Sequence, residues 1–527
     1  MNKSKDTHVA AVQLCAALLA VLLWAPALAL AQTEAIRTQS GLVSGVALSH
    51  GLEVFKGIPF AAPPVGKLRW QPPQPPAAWQ GVRKAGSFGA PCMQSASPER
   101  LGPWTRVFLS KMQPSEDCLY LNGWITAKRP KTLLPVMVWI YGGGFTSGAG
   151  SVEIYDGAGL ARKGVVVVSA NYRVGAFGFF AYPGLTAESP HHSSGNYGLL
   201  DQIAALRWVQ RNIAAFGGDP HQVTIFGQSA GAGSVWLLMQ SPLARGLFER
   251  AIIMSGPAVI PAKMITGERS LAAAEKQGQE VASRLGAQSL DQLRALPAEK
   301  IIRDSGRARW APIEDGWGIR AGWHPEQEVP VINGMVAEDI GIGYYGNGPA
   351  PAVTLKDYHK TMQEICGAEA TECQKLYPAG NDQQAAAAIR SALQDRARVS
   401  LYKWGVRQTS LSPRVYTYYF NQRIPWPQHP DYGVFHSSEL PYVFDNLHLL
   451  DRPWQSADRR VEDATSSYWT DFAKTGNPNG EGLPEWPLVN VGNLTTMQLA
   501  ARMEPIPLAP AARQQFWMKY LKEPLGF

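Results

Sequence analysis

The chain has 527 residues, of which 45% are hydrophobic and 17% charged, and its formal net charge is +7. This apolar content excludes a disordered chain or a coiled coil as a description of the whole and predicts a large core. The 51 glycines and 40 prolines follow no G-X-Y period, which excludes collagen. The densest basic clusters, at residues 128–131 and 459–460, are brief, so we expect no nucleic-acid partner.

The first 31 residues have the composition of a cleaved secretory signal. Lys3 and Lys5 precede the almost wholly apolar stretch Val9–Ala25, and residues 29–31 have the small-x-small form of a cleavage site. The apolar stretch is short for a bilayer core of about 30 Å, which favours a signal over a membrane anchor. We therefore expect an exported protein, periplasmic or secreted, whose mature chain 32–527 is one domain without a membrane span.

Four cysteines remain after this cleavage, in an oxidising compartment. The even count suggests two disulfides, and their order along the chain suggests Cys92–Cys118 and Cys366–Cys373. The first would close a loop of about 27 residues and contribute about 3–4 kcal/mol through chain entropy. No CxxC or Cys/His ligand spacing is present, so we expect no structural zinc.

Strand-like and helix-like segments alternate along the mature chain. The predicted elements, in order, are antiparallel strands in Gly41–Ala61, buried strands at Leu133–Tyr141 and Gly164–Tyr172, a helix at Asp201–Phe216, a strand at Val223–Phe226, a helix at Ser229–Met239, and strands at Arg250–Met254, Val329–Ile332 and Val415–Phe420. Helix-rich stretches at Ala262–Ile302 and Pro349–Arg398 are expected to be insertions over one edge of the sheet. This alternation predicts an α/β fold with a mostly parallel sheet covered by helices on both faces.

The sharpest chemical signal is the GxSxG sequence Gly227–Gly231, between a predicted strand and a predicted helix. A tight strand-to-helix turn needs small neighbours, presents the hydroxyl of Ser229 at the end of the strand and leaves the following N–H free. A second signal is the glycine run Gly142–Phe145 directly after a buried strand. Its unobstructed N–H groups can converge on an oxyanion. A phosphate-binding loop is the competing interpretation, but the glycine spacing of such loops is missing.

A serine nucleophile needs a base, and the base needs an acid that orients it. His436 follows the predicted strand Val415–Phe420 in a loop, whereas most of the other histidines are typical of surface or loop positions. The chain order serine, acid, histidine is that of α/β-hydrolases, which places the acid between the two. The adjacent residues Glu338 and Asp339, after a predicted strand, are both candidates.

Several ordered motifs give the chain a specific resemblance. It resembles the type-B carboxylesterases, a family that includes para-nitrobenzyl esterases, animal carboxylesterases and cholinesterases, over residues 41–487. The motifs that carry the resemblance are Phe55–Pro64, Ser115–Asn122, Asn171–Arg173, Gly195–Gln202, Phe216–Pro220 and Trp469–Pro487.

The resemblance implies an α/β-hydrolase fold and assigns roles to individual residues. Ser229 would be the nucleophile and His436 the base, and Ser255 would support the histidine and its acid. The N–H groups of Gly143, Gly144 and Ala230 would form the oxyanion hole. The pairing Cys92–Cys118 matches a loop of the family, whereas Cys366–Cys373 matches no pairing that we can place.

Three departures from the family pattern bear on substrate and mechanism. The acid position, usually Glu, falls on Asp339 when counted from Gly334, which favours Asp339 over Glu338. Gln228 stands where relatives often have Glu before the nucleophile. Phe108 stands where cholinesterases have a Trp that stacks on the quaternary ammonium, so choline esters are not expected.

The resulting hypothesis is a serine carboxylesterase that acts on small-molecule esters without cofactor or metal. The histidine takes the proton of the serine, an acyl-enzyme forms, and water activated by the histidine hydrolyses it. Because a histidine is a base only when neutral, activity should rise through about pH 6–7 and then level off. The alternatives are a non-catalytic adhesion protein on the same fold, or an enzyme for bulky aromatic esters, lactones or amides.

Overall fold

The computed structural model describes residues 32–259, 270–306, 308–322, 327–339, 353–412 and 414–523. The predicted signal at 1–31 and parts of both helical insertions lie outside these residues. Within the described ranges, no helix is long and apolar enough to cross a membrane.

The strands account for most of the central architecture. Those in the described residues are β1 (Ile36–Thr38), β2 (Gly41–Ser44), β3 (Val46–Leu48), β4 (Leu52–Pro59), β5 (Val82–Lys84), β6 (Tyr120–Thr126), β7 (Leu134–Ile140), β8 (Val166–Ala170), β9 (Gly218–Gln228), β10 (Arg250–Met254), β11 (Val331–Val336), β12 (Val415–Phe420), β13 (Thr495–Leu499) and β14 (Glu504–Pro507).

Eleven of these strands form one mixed sheet in the order β14-β13-β12-β11-β10-β9-β7-β8-β6-β4-β3. The seven strands from β13 to β8 run parallel to one another, and the pairs β14-β13, β8-β6, β6-β4 and β4-β3 are antiparallel. A smaller sheet has the order β1-β2-β5. The predicted mostly parallel sheet and antiparallel opening are thus confirmed.

Helices connect the strands and extend the fold. Those in the described residues are α1 (Ala158–Arg162), α2 (Gly175–Phe179), α3 (Pro183–Glu188), α4 (Tyr197–Asn212), α5 (Ala230–Gln240), α6 (Leu271–Leu285), α7 (Leu290–Ala295), α8 (Ala298–Asp304), α9 (Leu355–Cys366), α10 (Ala370–Leu376), α11 (Asp382–Thr409), α12 (Leu440–Val443), α13 (Ser456–Thr475) and α14 (Ala511–Tyr520).

Several predicted boundaries differ from the structure; the helix predicted at Asp201–Phe216, for example, is α4, which begins at Tyr197 and ends at Asn212. The strand predicted at Val223–Phe226 is the longer β9, because Gly218 already pairs with Leu134 of β7. Gly217, with φ 83°, ends the preceding helical turn, and β9 begins at the next residue, Gly218. The strand predicted at Val329–Ile332 continues to Val336, since its buried residues keep pairing with β12.

Aromatic side chains fill the core beneath the carboxyl ends of the parallel strands. The Trp139 ring lies 4.9 Å from that of Phe226, 5.0 Å from that of Phe444 and 5.0 Å from that of Tyr155. Such pairs each add about 0.5–1.5 kcal/mol beyond the burial of their area. The structure also contains both expected disulfides, Cys92–Cys118 and Cys366–Cys373.

Candidate active site

Ser229 occupies a strained turn between β9 and α5. Its φ of 60° and ψ of −125° are rare for a residue with a side chain, and its N–H donates to the carbonyl of Met254 at 2.9 Å. A Cβ at Gly231 would lie 2.0 Å from the carbonyl oxygen of Ile140, and one at Gly227 would lie 2.5 Å from that of Gly231. Glycine is therefore required on both sides of the serine, as the motif predicts.

His436 and Asp339 are brought together although 97 residues separate them in the chain. The Nδ1–H of His436 donates to Oδ1 of Asp339 at 2.6 Å. Asp339 has no exposed surface and His436 is 5% exposed. The contact holds the imidazole by Nδ1 and leaves Nε2 as the nitrogen that can take a proton.

Glu338, the other candidate acid, points to different partners. Its Oε1 lies 3.5 Å from Nη1 of Arg390, and its backbone N–H donates to the carbonyl of Val434 at 3.0 Å. Its carboxylate packs so closely on Gly433 that a Cβ there would lie 1.5 Å from Oε2. Among the described residues no hydrogen bond joins Glu338 to His436, so the geometry favours Asp339 as the acid.

The Nε2 atom of His436 contacts Gln228 rather than Ser229. The Gln228 side-chain amide donates to this nitrogen at 3.0 Å, and the Ser437 hydroxyl donates to the Gln228 carbonyl oxygen at 3.2 Å. In the described part of the chain, no hydrogen bond joins the hydroxyl of Ser229 to His436. Gln228, the residue directly before the partly exposed Ser229, thus links the turn to His436, and its amide lies at the nitrogen that a base would use.

The predicted oxyanion donors lie around the same turn. Gly142 packs against it, since a Cβ there would lie 3.0 Å from Cβ of Ser229. Gly143 and Gly144 have φ values of 118° and 63°, and within the described residues neither N–H donates to another backbone group outside helices and strands. Ala230 is the first residue of α5, where N–H groups have no partner within the helix. In the described part of the chain, the N–H groups of Gly143, Gly144 and Ala230 therefore donate to no loop carbonyl, which is a requirement for oxyanion donors.

The chain is similar to known proteins over most of its length. The model of the carboxylesterase family matches residues 32–517. The chain belongs to the carboxylesterase family. It has the α/β-hydrolase fold of that family and is a carboxylic ester hydrolase acting on small ester substrates.

Three curated relatives share most of their length with this carboxylesterase. Fumonisin B1 esterase of Sphingopyxis macrogoltabida is 37% identical over 85% of this chain and 83% of its own. Para-nitrobenzyl esterase of Bacillus subtilis (strain 168) is 33% identical over 86% and 92%. Acetylcholinesterase of Bungarus fasciatus is 32% identical over 93% and 87%.

Ser255, the remaining predicted site residue, lies at the end of β10 with φ 53° and is fully buried. Its N–H donates to the carbonyl of Gly334 at 2.8 Å. Its hydroxyl has no hydrogen-bond partner among the described residues. The structure therefore brings Ser255 to the ends of the same strands without joining it to His436 or Asp339.

A buried acid that the sequence interpretation missed lies three residues after His436. Glu439 has no exposed surface, and the Tyr418 hydroxyl donates to its Oε2 at 2.6 Å. Burial raises the pKa of Glu439 to about 8, and the charge of Asp339 acts in the same direction, although the bond from Tyr418 opposes them. Its place directly before the apolar run 440–444 was the only sequence signal of burial.

Aromatic residues of the Cys92–Cys118 loop cover the histidine loop. The rings of Trp104 and Phe108 each lie 6.1 Å from that of Phe435, the residue before His436. Phe108 is buried, as part of this wall. The disulfide loop therefore supplies an apolar, aromatic boundary beside the candidate base.

Proposed function

We propose that this carboxylesterase hydrolyses its ester through an acyl-enzyme on Ser229, with His436 as general base and Asp339 as the acid that orients it. The observation that carries the proposal is the 2.6 Å bond from His436 Nδ1 to Asp339, which leaves Nε2 as the basic nitrogen of the loop. The strained turn at Ser229, which displays a hydroxyl at the end of β9, supports it.

The proposed cycle assigns each proton. As the substrate enters, the hydroxyl of Ser229 replaces the Gln228 amide at Nε2 of His436 and loses its proton to that nitrogen while its oxygen attacks the ester carbonyl. The N–H groups of Gly143, Gly144 and Ala230 hold the negative oxygen, each worth about 3–4 kcal/mol of barrier. The imidazolium returns its proton to the leaving alcohol, and water then releases the acid by the same route.

The test is covalent labelling together with turnover. A fluorophosphonate should label the purified protein, and Ser229→Ala should lose both labelling and turnover of p-nitrophenyl octanoate while its circular dichroism is unchanged. Ser410→Ala, which alters an exposed serine bonded to the carbonyl of Arg407, serves as the matched control and should keep both. Turnover retained by Ser229→Ala refutes the nucleophile.

The acyl and alcohol preferences follow from the boundary of the site. The aromatic wall of Trp104, Phe108 and Phe435 favours apolar or aromatic esters, and one relative is named a para-nitrobenzyl esterase. We expect p-nitrophenyl octanoate to be turned over better than p-nitrophenyl acetate, and an anilide to be turned over much more slowly than either. A faster anilide would assign the enzyme to amides instead.

We also propose that the protein is exported and that residues 1–31 are removed, which leaves one domain from residue 32. The apolar amino-terminal stretch supports this, as do two disulfides, which persist in oxidising compartments. Amino-terminal sequencing of the protein recovered outside the cytoplasm should begin at Gln32. An intact Met1 in that fraction would contradict cleavage.

A further inference from the structure

A cluster of cationic and aromatic side chains lies beside the loop that carries the proposed base. The guanidinium carbons of Arg100 and Arg452 lie 5.5 and 3.8 Å from the centroid of the Trp426 ring. His429 and Tyr432 pack edge-on against the same ring, at 5.0 and 5.1 Å. Nη2 of Arg100 donates to the Tyr432 hydroxyl and lies 3.2 Å from Nε2 of His429. Two guanidinium groups are thus fixed by one indole ring.

The two guanidinium groups keep unused hydrogen-bonding capacity. Within the described residues, neither Arg100 nor Arg452 forms a salt bridge with a carboxylate. Nη1 of Arg452 donates to the backbone carbonyl of Asp451 at 2.8 Å, whereas its Nε is buried without a partner in the described structure. Burial lowers the pKa of Arg452, and the charge of Arg100 acts in the same direction while Asp451 opposes it. A bound anion would relieve this repulsion.

The position of the cluster links it to the ester site. Arg100 lies in the Cys92–Cys118 loop, whose Trp104 packs against Phe435 next to His436. Tyr432 precedes the same histidine by four residues and is itself buried. In parallel α/β sheets the loops after the carboxyl ends of the strands bind the ligand, and Trp426 lies in the loop after β12. An anion held here would therefore lie at the same edge of the sheet as the proposed catalytic residues.

We propose that Arg100 and Arg452 form an anion-binding site at the rim of the active site and bind a carboxylate that the ester substrate carries away from its scissile bond. A guanidinium presents parallel N–H donors that match the two oxygens of a carboxylate. The inference rests on the proposed hydrolysis at Ser229 and adds a substrate class to it, namely monoesters of dicarboxylic or polycarboxylic acids and esters of hydroxy acids.

A matched pair of substrates tests the site. One is p-nitrophenyl octanoate, and the other is the mono-p-nitrophenyl ester of octanedioic acid, which has the same chain length but ends in a carboxylate. Arg452→Met keeps aliphatic packing on Trp426 and removes the charge. We expect it to lower the ratio of kcat/KM for the acidic ester to that for the neutral ester by about tenfold, mainly through KM. Arg452→Lys should restore part of the ratio.

Two further variants separate this effect from a general loss of structure. Arg100→Gln changes an exposed residue and should lower the same ratio, so the test survives if Arg452→Met fails to fold. Arg502→Gln removes a guanidinium that is 82% exposed and paired with Glu504 in the turn between β13 and β14, and it should leave the ratio unchanged. A ratio that stays at the wild-type value in both rim variants overturns the inference.

Inorganic phosphate distinguishes a carboxylate subsite from a general anion site. We expect phosphate at constant ionic strength to inhibit the acidic ester weakly, and this inhibition to disappear in Arg452→Met. Strong phosphate inhibition of both esters, unchanged in the rim variants, would contradict the proposal. Failure of the proposed hydrolysis at Ser229 gives a different result from failure of the anion site. In that case Ser229→Ala would retain turnover of p-nitrophenyl octanoate, whatever the ratio of kcat/KM for the two esters.

Discussion

The Nδ1–H of His436 donates to the carboxylate of Asp339 at 2.6 Å, although aspartate is one methylene shorter than the glutamate usual at this position. The backbone explains how the shorter side chain reaches. Glu338 forms a parallel bridge with Phe435, so the residues that follow each of them are neighbours in space. The loop that carries His436 therefore lies against the end of β11, close enough for an aspartate to reach the imidazole.

Exchanging the two adjacent acids for amides should have unequal effects. Asp339→Asn should lower kcat by about 10⁴-fold, because an amide no longer stabilises the imidazolium and favours the wrong tautomer. Glu338→Gln, which is matched in chemistry and adjacent in sequence, should lose far less activity because it faces Arg390. Steady-state kinetics with p-nitrophenyl octanoate, with unfolding midpoints measured alongside, provide the comparison. The reverse order of effects would assign the acid to Glu338.

Gln228 should control the acid limb of the pH–rate profile. Its neutral amide lies 3.0 Å from Nε2 of His436, so Gln228→Glu would place a negative charge beside the imidazole. That charge stabilises the imidazolium and should move the rise in kcat/KM to higher pH by about one unit. The profile is measured with one neutral ester, and Gln222→Glu, a half-buried glutamine near the middle of β9, is the control. An unshifted limb would show that the two side chains separate in the working enzyme.

The sequence predicted the parts of the site that lie in continuous motifs. The turn at Ser229, the glycine run and the alternation of strands and helices all follow from local rules on glycine, apolar period and chain order. Two other motifs that carry the family resemblance, Asn171–Arg173 and Gly195–Gln202, are in direct contact in the structure. Arg173 of one motif donates to both carboxylate oxygens of Asp201 in another, at 2.7 and 2.8 Å, with both side chains buried. Such pairs recur because a buried charge requires its partner.

What the sequence could not supply depends on contacts between distant segments. The side chains of Glu338 and Asp339 point in different directions, and the bridge between Glu338 and Phe435 determines which of them faces His436. The hydroxyl bonded to Glu439 comes from Tyr418 of β12, and Arg100 and Arg452 come together because both pack on Trp426. No local period encodes these encounters, since they arise from the order of strands in the sheet and the loops that follow them.

Glu439 should make the enzyme less stable as the pH rises. Burial raises its pKa to about 8, from an ordinary value of 4.5. Between these values the folded protein holds a proton that the unfolded chain has released, so the free energy of unfolding should fall with rising pH by up to about 1.4 kcal/mol per unit. Above the upper value the cost is complete, and below the lower value it is absent.

Replacing this carboxyl by an amide should flatten the dependence. Glu439→Gln keeps the shape and cannot ionise, so its free energy of unfolding should fall less steeply than that of the wild type between about pH 5 and 8. Urea titrations across this range measure the slopes, and Glu481→Gln, at an exposed position, is the control. Parallel curves for Glu439→Gln and the wild type would mean that the buried carboxyl is already ionised.

The two disulfides should contribute unequally to stability and function. Their sequence separations of 26 and 7 residues predict, from loop entropy, about 3–4 kcal/mol for Cys92–Cys118 and about 2–3 kcal/mol for Cys366–Cys373. The first also fixes the loop whose Trp104 and Phe108 pack against Phe435, whereas the second joins α9 to α10. The double variant Cys92→Ser/Cys118→Ser should therefore unfold at lower urea and lose catalytic efficiency. Cys366→Ser/Cys373→Ser should lose stability alone, and equal losses of activity in the two variants would show that the aromatic wall holds without its disulfide.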